Sequence, residues 1–323
     1  MEMEMKKYLI TGGAGFIGSN IAERLLKEGN YVRVLDNFSS GKESNLSFAR
    51  ELSAKSFELI RGDIRDKAVC EKACAGMDYV LHQAALRSVP KSMKDPESYN
   101  DVNINGTLYM LQAASKAKVK RFVFASSSSV YGDVTQFPEK ETFYPELISP
   151  YALSKLANEY YAKIYAQFFG VPSVALRYFN VYGPKQALDD EYAVVIPKFI
   201  NCILNDEQPP IFGTGKQSRD FTYIDNVVDA NILAATTAGI TFEVFNVATG
   251  KDQTVLSLVE VLNKIIGKDI KPKLLDIRPG DVFRTNADIS KISKILKYKP
   301  TVGFEEGLRR TVEYFKGIMS CKS

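Results

Sequence analysis

Three glycines spaced three apart, Gly12, Gly15 and Gly18, lie between a short apolar strand pattern, Lys7–Thr11, and the start of an amphipathic helix. Glycine lets the chain turn tightly and lets the backbone approach a pyrophosphate, which then rests on a helix N-terminus where amide donors and the dipole favour anions. A strand–turn–helix of this kind belongs to a βαβ unit, and so to a parallel sheet. The same trio could simply pack helix against strand, but its place after the first strand favours a dinucleotide. Phe16 and Ile17 open the helix, and Ile21, Leu25 and Leu26 point to one side of it.

The alternation of short apolar runs with helical patterns continues through the first half. Strands are expected at 31–35 ending at Asp36, then at 57–60, 79–81, 121–125 and 173–178, with a late strand at 242–247 returning to the same sheet. Helices are expected at about 66–75, 97–117 and 150–169. After Val181 the pattern is less regular, broken by Pro184, Pro209, Pro210, Pro279 and Pro300. The fold class expected is α/β: a doubly wound parallel Rossmann sheet with a smaller, mixed α/β substrate-binding domain. A chain of 323 residues suits that division. The nucleotide-binding domain is placed at 1–180 plus about 220–248, and the substrate domain at 181–219 and 249–323.

Asp36 lies eighteen residues after Gly18, at the end of the second strand. A carboxylate there accepts from the adenosine ribose hydroxyls and repels a 2′-phosphate, so NAD is expected rather than NADP. The following turn supplies Asn37, Ser39 and Gly41, and Asn37, Phe38 and Ser39 offer no cation. Asp63 and Ile64 follow the third strand, where they would hold the adenine edge. Ala84 and Ala85, after the fourth, leave room for the dinucleotide backbone. His82 on that strand's end reads as a satisfied core group.

Composition narrows the classes. Apolar and charged fractions of 45% and 25% are those of an ordinary soluble globular protein. A net charge of +4 without a long basic run argues against nucleic-acid binding. No stretch has the length and apolarity of a membrane span, and the acidic start Met1-Glu2-Met3-Glu4-Met5 is no signal peptide. Four cysteines (Cys70, Cys74, Cys202 and Cys321) and one histidine make reduced structural thiols the expectation, with no metal and a cytoplasmic location. The 150–169 helix carries Tyr160, Tyr161, Tyr165, Phe168 and Phe169 on more than one face. Such a belt fits a helix buried in a large core, or a homodimer formed through this helix and the preceding one.

Tyr151 and Lys155 stand four apart at the start of that helix and share a face. Free tyrosine titrates near 10, so a basic phenol needs positive charge beside it. Lys155 and a nicotinamide ring would supply it. Ser126 to Ser129 follow the fifth strand, where a hydroxyl can align a reacting oxygen with Tyr151.

At this point the chain resembles the extended short-chain dehydrogenase/reductase family over nearly its whole length. The resemblance rests on Thr11-Gly-Gly-Ala-Gly-Phe-Ile-Gly18, Ser127-Ser-Ser-Val-Tyr-Gly132, Pro150-Tyr-Ala-Leu-Ser-Lys155 and Leu176-Arg-Tyr-Phe-Asn-Val-Tyr-Gly183, with Arg219-Asp220-Phe221 and Arg278-Pro-Gly-Asp281 in the second half. Within it, Ala85-Leu-Arg-Ser-Val-Pro90 and Tyr192-Ala-Val-Val-Ile-Pro-Lys198 are most similar to nucleotide-sugar 4-epimerases of the UDP-N-acetylglucosamine group. The resemblance implies that Tyr151 takes the proton of a sugar 4-hydroxyl while hydride passes to tightly bound NAD, and that the 4-keto sugar turns over before hydride returns. Ser127 and Lys155 occupy the family's serine/threonine and lysine positions. Asn103 matches an asparagine that orders the cofactor site, Arg87 a residue near the cofactor phosphates, and Tyr178 a cofactor-side position. Asn180, Arg219 and Arg278 match the diphosphate handle. Ser88, Ser128, Ser129, Val194, Val195, Ile211 and Asp281 match further substrate positions. Thr285 aligns with a gatekeeper, bulky where acetamido sugars are refused, so its size implies UDP-GlcNAc/UDP-GalNAc exchange with UDP-glucose/UDP-galactose accepted too.

Rivals share the scaffold. Dehydratases place an Asp-Glu pair after the catalytic threonine, where this chain has Ser128 and Ser129, and decarboxylases retain the glutamate. UDP-glucuronate 4-epimerases carry a similar serine-rich run and remain the enzyme alternative. Outside enzymes, an NAD-sensing regulator is the alternative, although such proteins generally lose the Tyr–Lys pair.

Overall fold

The computed structural model describes residues 5–52, 55–187, 195–276 and 282–320. Seven strands form the central sheet among them: β1 (Lys7–Thr11), β2 (Tyr31–Asp36), β3 (Phe57–Arg61), β4 (Tyr79–His82), β5 (Arg121–Ser127), β6 (Ser173–Tyr178) and β7 (Phe242–Val247). Their order is β7-β6-β5-β4-β1-β2-β3, and every pairing is parallel. The strand order reverses on either side of β1, between β2 and β4. That reversal opens a crevice beyond the carboxyl ends of the strands, the place where open α/β sheets bind ligands.

Both faces of the sheet are covered, which explains why the strands read as nearly continuous apolar runs. Ile10, Val32, Val34, Leu81 and Leu176 pack with α1 (Phe16–Lys27) and the helix Ile224–Thr236 in one cluster. Leu9, Leu35, Val80, Phe122 and Ala175 pack with α2 (Lys67–Cys74), α3 (Gly106–Ala117) and α4 (Pro150–Phe168) in the other. Neighbours such as Leu9 and Ile10 serve opposite faces because successive strand side chains alternate. Cys70 and Cys74 of α2 are buried thiols in this second cluster.

The single helix expected over 97–117 is three pieces instead: Pro96–Tyr99, a π-helical turn at Asn100–Asn105, and α3. An apolar pattern cannot reveal one widened turn, because the residues on either side keep helical spacing. Such turns recur at functional sites, and this one carries the buried Asn103. The proline-broken second half yields two- and three-residue strands. Val181–Tyr182 pairs with Thr222–Tyr223, Ser218–Arg219 with Gln253–Thr254, and Pro210–Phe212 with Lys273–Leu275. Among the described residues no helix is long and apolar enough to cross a membrane.

Candidate active site

The glycine turn is a cradle in which added side chains do not fit. Gly12 has φ +65°, and a Cβ on it would lie 2.8 Å from the backbone N and Cα of Ala84. A Cβ on Gly18 would overlap the Gly12 carbonyl. Gly15 caps α1 with no side-chain hydrogen bond, which leaves the first-turn amides to an anion. Asp36 closes the cradle: its carboxylate accepts from the amides of Ala14 (2.9 Å) and Phe38 (2.7 Å). Gly41 lies over Ala14, and Ser39 donates its amide to Asn37 Oδ1. The Asn37 amide donates to Asp63 at 2.8 Å, and the Arg65 guanidinium beside Asp63 holds that carboxyl well below its usual range. Glycines packed where a Cβ would collide, open helix amides and a carboxylate at the end of β2 fit NAD.

The turn does have a cation close by, contrary to its own sequence. The guanidinium of Arg61, at the end of β3, stacks 4.4 Å over the Phe38 ring and pairs with Glu43. Only sheet pairing brings it there.

Beneath the cradle runs a buried polar chain. His82 Nδ1 lies 2.7 Å from the Thr11 hydroxyl and Nε2 lies 2.9 Å from the Thr107 hydroxyl, which also receives the Asn158 amide. Burial, with the Lys155 charge, pushes His82 down to about 3, so it is a neutral structural group, as its sequence position predicts. The Thr11 hydroxyl accepts from the Ala84 amide. Asn103 is wholly committed: it accepts from the Leu86 amide (2.7 Å) and donates to the Leu86 carbonyl and the Ser154 hydroxyl (3.0 Å each). Its part is therefore to order the Ala84–Arg87 loop. Tyr178 hydrogen-bonds Gln83 and Asn231, two residues that no motif singled out.

Helix α4 brings the acid–base groups to the crevice. The Ser149 hydroxyl caps it by accepting from the Ala152 amide (3.1 Å), and Pro150 fills its first position, so Tyr151 sits in the first turn. Tyr151, Lys155 and Glu159 then recur every four residues along the edge of β5. Burial raises the Tyr151 phenol, while a Ser127 hydrogen bond and the Arg87 charge pull it down. The Ser127 hydroxyl also receives the Ser129 amide (3.1 Å) and lies 2.9 Å from the Ser129 hydroxyl. Lys155 stands beside the Tyr151 ring and is also tied to the strand. Its ammonium donates to the Ala125 carbonyl at 2.8 Å, 5.8 Å from the centre of the Tyr151 ring, and burial pushes it down to about 8. Glu159 accepts from the Ser126 hydroxyl (2.6 Å) and makes two bonds with Arg177 (2.9 and 2.7 Å).

On the far wall, Asn180 adopts φ +35° and donates to the Thr285 hydroxyl (2.9 Å) and the Asp220 carbonyl (3.3 Å). Thr285 is buried, and its backbone pairs with Ser218 and Asp220. Asp220 is buried too and accepts from Thr249, Gly250 and Ala287, yet burial raises it to about 6. Arg219 donates to the carbonyls of Ser218 and Phe283. Ser88 caps the helix Val89–Lys94, Val195 starts the helix Val195–Leu204, and Ile211 is buried in the apolar core. Val194, Arg278 and Asp281 lie outside the described residues.

Comparison with known proteins matches residues 8–248 to a family described as the NAD dependent epimerase/dehydratase family. The chain is similar to a solved UDP-N-acetylglucosamine 4-epimerase from Methanobrevibacter ruminantium M1 in complex with UDP-N-acetylmuramic acid: 43% identity, TM-score 0.93, covering 98% of this chain and 100% of that one. It is also similar to the UDP-glucose 4-epimerase of Thermotoga maritima solved with UDP-glucose, at 39% identity and TM-score 0.90, covering 97% and 99%. A UDP-glucuronate 4-epimerase of Thermodesulfobacterium geofontis is 36% identical over 320 residues, covering 97% of each chain.

The His82 environment sets a pH dependence. The folded imidazole stays neutral down to about 3, whereas the unfolded one takes up a proton below about 6.5, so this contribution to stability is lost as pH falls through that window. The stability advantage of the native chain over His82→Gln, from urea unfolding, should shrink by about 2 kcal/mol between pH 7 and pH 5. A gap that stays constant would show that the imidazole titrates alike in both states.

Proposed function

This chain belongs to the NAD dependent epimerase/dehydratase family, and from that premise we propose that it is a UDP-sugar 4-epimerase. The pair it prefers on this reading is UDP-GlcNAc and UDP-GalNAc, with UDP-glucose and UDP-galactose accepted as well. The observation that carries the reaction is Tyr151 in the first turn of α4, with the Lys155 ammonium, itself tied to the Ala125 carbonyl of β5, 5.8 Å from the centre of its ring.

NAD supplies a reversible hydride acceptor, which inversion at a sugar carbon through a ketone needs. The protein's own part is proton transfer and alignment. Tyr151 takes the proton of the sugar 4-hydroxyl and returns it, and the Ser127 hydroxyl aligns the same oxygen. Gly12, Gly15, Gly18 and Asp36 hold the dinucleotide, with the Ala84–Arg87 loop beside it. Arg219 and Asn180 serve the nucleotide diphosphate. The two-unit division, 1–180 plus about 220–248 against 181–219 and 249–323, puts this cradle in the first unit and Arg219 and Thr285 in the second. Elimination of water is disfavoured because positions 128 and 129 are hydroxyls, and Ser129 is turned onto Ser127. Buried reduced thiols at Cys70 and Cys74 accord with a cytoplasmic setting.

Turnover without added NAD across four UDP-hexoses and two UDP-uronic acids tests the reading. Epimerisation of the N-acetyl pair, lost by about 10²-fold or more in Tyr151→Phe, is the expected result. Turnover confined to the uronic acids would favour a UDP-glucuronate 4-epimerase, and bound NAD without any epimerisation would favour a redox sensor.

The sugar preference rests on Thr285, whose small side chain receives the Asn180 amide. Thr285→Tyr should abolish turnover of the N-acetyl sugars and retain that of UDP-glucose. Equal loss of both would overturn the gatekeeper assignment.

The second copy of this chain is the partner that α4 fits. Leu153, Tyr160, Ile164 and Phe168 are 53%, 60%, 43% and 76% exposed, and their spacing places them on one stripe of the helix. Tyr165, by contrast, is buried against the sheet. Light scattering should give a dimer mass at micromolar concentration, and a monomer for Tyr160→Glu with Phe168→Glu. A native monomer would end the proposal.

A further inference from the structure

Asp36 and Arg61 are register partners at the ends of the neighbouring parallel strands β2 and β3. The preceding pair, Leu35 and Ile60, serves the opposite face, so the Asp36 and Arg61 side chains leave the sheet on the same side. A carboxylate at this place meets the adenosine ribose hydroxyls, and an arginine nearby is what accommodates a 2′-phosphate. Both halves of a choice between NAD and NADP therefore lie on adjacent strands. The Arg61 guanidinium is drawn elsewhere: it stacks 4.4 Å over the Phe38 ring and pairs with Glu43. Glu43 opens the 3₁₀ turn Glu43–Leu46, which is fastened to the glycine cradle on either side of it. The Ala14 carbonyl accepts from the Lys42 amide (3.0 Å) and from the Asn45 side-chain amide (2.9 Å). The Ala14 amide in turn donates to Asp36 at 2.9 Å. Glu43 is thus held at the rim of the cradle by the same residue that Asp36 binds.

We propose that Glu43 is a specificity-determining residue for the dinucleotide: it keeps Arg61 off the ribose 2′-position and so withholds NADP from the cradle. The inference concerns the cofactor alone and holds whichever sugar is turned over. The two side chains are 58% and 64% exposed, and ion pairs so open to water add little to stability. Stability is therefore not what this pair supplies. A free guanidinium beside Asp36 would offset its carboxylate and present a two-pronged donor to a phosphate. Bound to Glu43, the same guanidinium is already neutralised. A 2′-phosphate entering here then meets two carboxylates, Asp36 and Glu43, in place of a carboxylate and a cation. The uncharged 2′-hydroxyl of NAD needs only the acceptor that Asp36 provides.

The preference is read on the protein as purified, by dialysis against equal concentrations of NAD and NADP until the bound ratio is constant. Gel filtration, heat release and chromatography of the nucleotide then give that ratio. The native chain should retain NAD over NADP by about a hundredfold or more. Glu43→Gln should shift the ratio about tenfold towards NADP at an unchanged melting temperature, by freeing Arg61. Arg61→Gln alone should stay within about twofold of the native ratio, and Glu43→Gln combined with Arg61→Gln should fall back to it. A native chain that takes both dinucleotides alike, or a Glu43→Gln protein with the native ratio, would overturn the proposal. So would a double variant shifted as far as Glu43→Gln alone, since Glu43 would then act by its own charge and not through Arg61. Binding is read without any sugar, so failure of the 4-epimerase reading leaves this test standing, and failure here leaves that reading untouched.

Discussion

The candidate site depends on the register of α4 against β5. Two buried polar contacts set it: the Lys155 ammonium on the Ala125 carbonyl, and Glu159 on the Ser126 hydroxyl and the Arg177 guanidinium. Both sit on the i, i+4 stripe that begins with Tyr151, so fixing them places the phenol at the strand end beside Ser127. The Arg177–Glu159 pair is almost fully buried, at 4% and 5% side-chain exposure. Removing either partner would strand a charge in the interior at a cost of about 3–5 kcal/mol. The Arg177 guanidinium also stacks 4.8 Å over the Tyr131 ring, which extends the same lock to the serine turn after β5. A helix held this way cannot slide or roll by a turn without breaking an ion pair.

Positive charge is divided between two places around that phenol. Lys155 is bound to the backbone of β5, and burial pushes it down to about 8. Arg87, carried on the loop that Asn103 and Tyr99 hold, adds a second charge that pulls the Tyr151 phenol down against the effect of burial. Across the crevice Asp36 keeps a carboxylate at the edge of the glycine cradle, hydrogen-bonded to the turn it closes. Arg61, whose guanidinium lies over the turn that follows Asp36, is spent on Phe38 and Glu43. The same scaffold carries many chemistries, so these local choices, and not the fold, decide what the crevice does.

The opposite wall is built differently. Asn180, Asp220 and Thr285 come from segments far apart in the chain and meet through short strand pairings and two hydrogen bonds from the Asn180 amide. Asp220 is satisfied by Thr249, Gly250 and Ala287, a buried carboxylate that ties three distant segments of the second half together. Few regular elements stabilise this wall.

Local pattern alone made most of the architecture legible. Apolar runs of four to six residues, helical spacing between them and a glycine turn after the first strand predict the seven strands, because each of these is a short-range property of the backbone. The Tyr151–Lys155 pair and the serines after β5 were visible for the same reason: their spacing is their geometry. Tertiary structure alone decided the rest. The widened turn at Asn100–Asn105 carries Asn103, which reaches Leu86, 17 residues away in sequence. The Lys155 ammonium is fixed by a carbonyl 30 residues earlier, and the Arg87–Ser88 bend by the Tyr99 hydroxyl. Gln83, Asn231, Arg61 and Tyr99 carry no motif, since their neighbours are supplied by the sheet. Sequence determines which groups the chain possesses and on which local faces they lie; only packing decides which of them meet, because hydrogen bonds and charges act across distances that the chain order does not record.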